Sequence, residues 1–240
     1  MIRVSASAFD ILWHDLGHDR VPSPLEVRSV GVTGAERAEI RRAVHANLAE
    51  RGLFDGGRLD SALESRLATL ASAEVYVECE SLPELDAETP FRAVAAAGGR
   101  RGVLAAQPSR TIGLSGIRDT EIFTAVVDLL PPLEPGPGYG VSLPADALAG
   151  DGGSRAAARQ LEEVRAIQSR PVLGAGQFTV RVREGGRPRR VGGVSWFRTD
   201  QGAYLGTVEP GRGGAPWVNV VPAGSAKVAA RLAELLAGVA

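Results

Sequence analysis

Twice along the chain the hydrophobic period switches from helical to two, over residues 74–117 and again over 174–221. Alternation that long, punctuated by Gly or Pro about every ten residues, reads as several short strands joined by reversals rather than as one element. In the first block Val75, Val77 and Cys79 point one way and Glu74, Tyr76, Glu78 and Glu80 the other, which predicts a strand with one wet face. Segments 91–97, 102–106 and 110–116 continue an antiparallel meander, with Gly98, Gly99 and Pro108 at its reversals. The acidic connection 81–90 is longer than a tight hairpin needs. The second block divides into 177–183, 189–198, 203–209 and 217–221. Its clearest reversal is Thr199-Asp200-Gln201-Gly202, where Asp can close a turn through its own side chain and Gly can take positive φ.

Helical patterns surround both blocks. A short β-like opening at 2–5 leads into Ser7 and Asp10, which predict a capping box for a helix carrying Phe9, Leu12, Trp13 and Leu16, ended by Gly17. After Pro22 and Pro24 the alternating segment 25–30 predicts a strand. Thr33 with Glu36 opens the next helix, whose stripe is Ile40, Val44 and Leu48 and whose end is Gly52. Leu59, Leu63, Leu67 and Leu70 mark another. Asp119 starts a helix through Ile122, Phe123, Val126, Val127 and Leu130, which Pro131 and Pro132 terminate. Beyond a stiff connector the order returns. A strand at 139–143 answers 25–30, a helical turn is predicted at 144–148 and a break at 151–154. A helix follows with Leu161, Val164 and Ile167, then the second meander, then a closing helix over 223–236 with Val228, Leu232 and Leu235. Strand, helix, four-strand meander and helix thus occur twice. The expectation is an α+β fold with a central antiparallel sheet and helices packed outside it, one domain spanning 1–240 with pseudo-two-fold halves of 1–132 and 133–240.

Composition narrows the chemistry. Cys79 is the single cysteine, which excludes an internal disulfide and a thiol-based metal knuckle and suits a reducing, cytoplasmic setting. No leader pattern follows Met1, no apolar run is long enough for a bilayer, and a net charge of −1 gives no global attraction to nucleic acid. His14 and His18 in HDLGHD stand four apart and could share a metal, but Gly17 should end the helix between them, so solvated residues at a helix end are the preferred reading. Ser115 lacks the second glycine of a nucleophile elbow, and 136–140 lacks the spacing of a phosphate loop. Arg181, Arg183, Arg187, Arg189, Arg190 and Arg198 surround the Gly185-Gly186 turn, a pattern of edge protection first, of a protein partner second and of nucleic acid third. No catalytic residue, metal ligand or cofactor site is assigned. On the 192–207 hairpin, Val194 and Trp196 share one face and Ser195 and Phe197 the other. One of these faces is core, and the opposite one, if exposed, is a recognition patch.

Taken together, Leu12-Trp13, Leu16-Gly17, Pro22, Pro24-Leu25, Gly31, Thr33, Glu36-Arg37, Leu48 and Arg51-Gly52-Leu53, with GAGQF at 174–178 and TDQGAY at 199–204, resemble the EspG proteins of type VII (ESX) secretion. The resemblance spans almost the whole chain, although Ala203 stands where the family pattern commonly has a basic residue. It implies a pseudo-two-fold α+β fold and a cytoplasmic, non-enzymatic chaperone that binds a PPE-like protein or PE-PPE heterodimer and keeps it soluble for export. It also implies a partner surface on the 81–90 connection and the sheet near Trp196, with Leu82, Leu85, Trp196, Phe197 and Tyr204 as its candidate residues. The competing functions are a metal-dependent hydrolase built on HDLGHD and an arginine-rich nucleic-acid module. Oligomeric state is left open.

Overall fold

The computed structural model describes residues 1–145, 155–211 and 216–239, with side chains of 155–158 outside that description. The fold is α+β, with a large antiparallel sheet and, among the described residues, six α-helices. By contacts the chain divides into two compact units. The first comprises Met1–Cys79, Phe91–Val126 and Arg181–Arg189; the second comprises Glu80–Pro90, Val127–Val180 and Arg190–Ala240.

The first unit is built from β1 (Ile2–Ser5), α1 (Ala6–Asp15), α2 (Gly34–Glu50), the small hairpin β2 (Phe54–Asp55) and β3 (Arg58–Leu59), α3 (Ser61–Ser72), β4 (Val75–Leu82), β5 (Phe91–Gly98), β6 (Arg101–Gln107) and β7 (Thr111–Arg118). Its strand order is β1-β7-β6-β5-β4. Leu63, Leu67 and Leu70 of α3 pack with Phe9, Leu12 and Trp13 of α1 on Val94, Val103, Ile112 and Leu114 of the sheet. The short helix α4 (Ile122–Val127) follows β7. In the second unit β8 (Val141–Pro144), α5 (Arg155–Gln168), β9 (Val172–Glu184) as far as Val180, β10 (Arg187–Thr199) from Arg190 on, β11 (Gly202–Pro210), β12 (Pro216–Pro222) and α6 (Ser225–Ala237) give the order β9-β10-β11-β12-β8. The same rule operates in both orders. An early strand pairs antiparallel with the last strand of the meander that follows it, Ile2 opposite Leu114 in one case and Val141 opposite Val220 in the other.

That rule corrects the predicted partner of β8, because the strand equivalent to it is β1 and not residues 25–30. The alternating 25–30 segment joins no ladder. Its backbone groups are taken by side chains: the Glu26 N–H donates to Gln107 Oε1 at 2.8 Å and Gln107 Nε2 donates to the Glu26 carbonyl at 2.8 Å, so one carboxamide imitates a paired strand residue. Val30 N–H donates to Asp10 Oδ2, and Arg37 spans the same carboxylate and the Val30 carbonyl. Asp10 is therefore committed to this segment, and the cap of α1 is Ser5, whose Oγ accepts from Ala8 N–H at 3.1 Å; the predicted Ser7 box does not form. The cap of α2 is Thr33 as its spacing predicts, with Glu36 reaching back to Val32.

The wet face predicted for β4 is also corrected, because Tyr76 and Glu78 are buried along with Val77 and Cys79. Arg183 makes this possible: it donates to the Ala71, Ala73 and Gly186 carbonyls and to the Tyr76 hydroxyl, while Arg181 pairs with Glu78 at 2.7 Å. The helical turn at 144–148 and the break at 151–154 fall mostly or wholly outside the described residues, but Pro144 closes β8 as a strand residue.

Gln107 is 4% exposed and has both ends of its amide in use. Gln107→Ala would strand the Glu26 N–H and carbonyl together, and the expected loss is roughly 1–3 kcal/mol in urea denaturation with secondary structure retained.

Candidate partner-binding surface

Alternation along β10 and β11 sorts the side chains of the second unit onto two faces. Val194 and Trp196 point to one, which α6 covers: a Cβ on Gly192 would stand 2.9 Å from Leu235 of that helix. Ser195 and Phe197 point to the other, with Gly206 opposite Ser195 and Tyr204 opposite Phe197. Part of this second face is covered by α5 and by the connector before β8. Val164 of α5 packs on Val141 and Leu143, and the Tyr204 hydroxyl donates to the Pro137 carbonyl at 2.9 Å and accepts from Arg170 at 2.7 Å.

Among the described residues the rest of the second face is open. Its groove, about 610 Å³, is floored by Gly193, Ser195 and Gly206 and edged by Gln177, Val208 and Val218. Val208 is 69% exposed, unusual for a valine in a central strand and the mark of an uncovered apolar surface. Two of the three floor residues have no side chain, for different reasons. A Cβ on Gly193 would stand 2.7 Å from the Phe178 carbonyl oxygen, whereas one on Gly206 would meet nothing nearer than 3.8 Å. Backbone approach compels the first glycine; the second leaves space that no packing demand explains.

A second apolar surface lies in the same unit. Leu85 N–H donates to the Leu173 carbonyl at 3.1 Å, which fixes the acidic 83–90 loop beside the start of β9. Leu85 is 47% exposed, and Val172 and Leu173 are exposed beside it. Arg198 donates to the Pro83 carbonyl, anchoring the loop's first residues.

The five residues implied by the family resemblance are thus placed very differently. Leu85 is on the surface, and Leu82 and Phe197 are half-buried. Trp196 is 1% exposed under α6 and Tyr204 is fully buried, so neither offers surface in the chain alone; Tyr204 instead stacks on Phe197 at 5.3 Å between ring centroids. Val208, Val218 and the paired glycines carried no aromatic or charged signal. Their only trace in the sequence was glycine inside strand patterns, which marks close backbone approach. In the Thr199–Gly202 reversal one predicted role moves by a residue: the Thr199 hydroxyl, not Asp200, closes the turn, accepting from Gln201 N–H and donating to the Gly202 carbonyl, while Gly202 takes positive φ as expected, at +126°.

The HDLGHD stretch is the C-terminal cap of α1. Gly17, at φ +68°, donates to the His14 carbonyl and His18 N–H donates to the Trp13 carbonyl, the paired bonds of a Schellman motif. His14 remains exposed, Asp15 pairs with Arg41 and His45, and the His18 ring leans on Trp13 at 4.7 Å. Burial lowers the His18 pKa, and its buried Nε2 finds no partner among the described residues. Among the described residues no cluster of three or more His, Cys, Asp or Glu is placed to hold a metal ion, and no helix is long and apolar enough to cross a membrane.

Two expected outcomes follow from these placements. Gly193→Ala loses roughly 1–3 kcal/mol of thermal stability through the clash with Phe178, while Gly206→Val keeps the wild-type midpoint. Because the native His18 pKa lies below its unfolded value of 6.5, the unfolded chain gains a proton first as pH falls. Stability measured in urea therefore declines below pH 6.5, and His18→Gln reduces that decline.

Comparison with curated proteins gives no significant match. Among solved structures the chain is similar to the Mycobacterium tuberculosis type VII secretion system chaperone EspG5, determined in complex with a PE25-PPE41 dimer. The two share 14% identity with a TM-score of 0.72 over 98% of this chain and 95% of that one, a likeness of fold. The EspG family model matches residues 5–234, nearly the full length over which the two meanders and their helices extend, and the chain belongs to the EspG family.

Proposed function

We propose that this protein is a cytoplasmic chaperone of a type VII secretion system that binds a PPE-type substrate, presented as a PE-PPE heterodimer, and keeps it soluble until export. Family membership over residues 5–234 carries the reading, and a solved protein of the same fold is bound to a PE25-PPE41 dimer. The role requires no catalytic group. It requires a preformed apolar surface with a polar rim, onto which an aggregation-prone helical tip can dock without reorganising the sheet.

In this chain the open groove over Gly193, Ser195 and Gly206 supplies such a surface, with Val208 and Val218 as its apolar walls. Phe197 lies on the same strand face, two residues beyond Ser195. Leu82 and Leu85 belong to the acidic connection, where exposed Leu85, Val172 and Leu173 give a second contact area. Trp196 and Tyr204 act beneath, holding strands and connector in place.

Co-expression with a PE-PPE pair encoded by the same genome, followed by size exclusion, is expected to give a stoichiometric complex. Gly206→Val, which fills the groove, should remove the PE-PPE pair from the chaperone peak while the variant itself elutes as a folded protein. Failure of the wild-type chain to co-elute with every such pair would overturn the reading.

A further inference from the structure

Among the described residues Arg190 is the one charged residue lining the groove. Its Nη2 lies 3.0 Å from the position a Cβ on Gly193 would occupy, with the Thr179 hydroxyl close to the same point. The guanidinium thus rests over the β10 backbone in the space that the missing side chain leaves. Four other arginines of the same hairpin have partners within the chain. Arg181 pairs with Glu78, Arg183 binds three carbonyls and a phenol, Arg189 pairs with Glu184, and Arg198 binds the Pro83 carbonyl. Among the described residues Arg190 meets no acceptor, and no acid lines the groove to balance its charge.

On the reading that this groove receives the secretion partner, we infer that Arg190 selects the segment that enters it by binding an Asp or Glu side chain of that segment. A guanidinium presents two parallel N–H donors that match a carboxylate, and a groove walled by Val208 and Val218 strengthens the pairing by excluding water from one side. The fitting partner segment is therefore amphipathic. Apolar residues rest on the two valines and the glycine floor, and a carboxylate stands toward the β9 side, where Gln177 and Arg190 lie. Among the described residues Arg190 makes no internal hydrogen bond or ion pair, so its substitution separates recognition from stability.

The probe is the PE-PPE pair that co-elutes with the wild-type chain, titrated against wild type, Arg190→Gln, Arg190→Glu and Gly206→Val by calorimetry at two salt concentrations. All variants are first checked for an unchanged thermal midpoint. Arg190→Gln should weaken binding roughly tenfold and Arg190→Glu further. The wild-type affinity should fall with salt more steeply than that of Arg190→Gln. An acid-to-lysine change in the partner's groove segment should restore binding to Arg190→Glu. If Gly206→Val abolishes binding while both Arg190 variants bind as wild type, the groove stands and acid recognition is overturned. If Arg190→Glu binds poorly and no acid-to-lysine change in the partner restores it, the pairing is overturned. If neither the Arg190 variants nor Gly206→Val weaken binding, or no pair co-elutes at all, the docking face and this inference fall together.

Discussion

The second unit turns on one phenol. Tyr204 sits fully buried on β11, its proton given to the Pro137 carbonyl and its oxygen accepting from Arg170 of the segment after α5. Gly136 stands so close to the ring that a side chain there would overlap it. The residue before it, Ala203, exchanges backbone hydrogen bonds with Glu134 and Gly136 of the same connector, and its carbonyl also accepts from Ala223 ahead of α6. Connector, β11, α5 and α6 are thereby referred to two adjacent residues. A buried tyrosine satisfied in both directions adds direction to the stabilisation that its ring burial supplies.

This arrangement explains why one sheet face is covered at one end and open at the other. The connector is drawn down onto Tyr204, α5 lies over Val141 and Leu143, and among the described residues nothing is folded over the face beyond Ser195 and Gly206. Such a surface is ordinarily a liability for a soluble chain. Glycine at 193 and 206 keeps it concave, so that it offers apolar walls to a fitting shape while presenting few protruding apolar atoms to anything else.

Periodicity carried most of the architecture because each meander strand and each amphipathic helix declares its buried side within a few residues. Leu63, Leu67 and Leu70 were visible as a stripe, and β5 to β7 and β10 to β12 as alternating runs between reversals. What escaped was decided at long range. Glu78 and Tyr76 look solvent-facing until Arg181 and Arg183, a hundred residues later, neutralise and cap them. Residues 25–30 look like a strand until Gln107 replaces the neighbour they lack. At the candidate site the aromatic residues drew attention, yet burial makes Trp196 and Tyr204 supports, while the open surface is written in glycine and valine, which signal little locally. The arginine cluster likewise reads as one feature, but only geometry separates Arg181, Arg183, Arg189 and Arg198, each with an acceptor in the chain, from Arg190 in the groove.

The carboxamide of Gln107 has a dynamic consequence. A strand inside a sheet is released only when its ladder opens, whereas 25–30 is fastened to β6 through one side chain and to α1 through Asp10. Rotation of the Gln107 side chain would free the Glu26 amide without opening a strand ladder, with Leu25 still packed in the core. Solvent exchange at the Glu26 amide would then run through a local opening below the free energy of global unfolding, in a segment held by side chains where a strand would be held by its ladder.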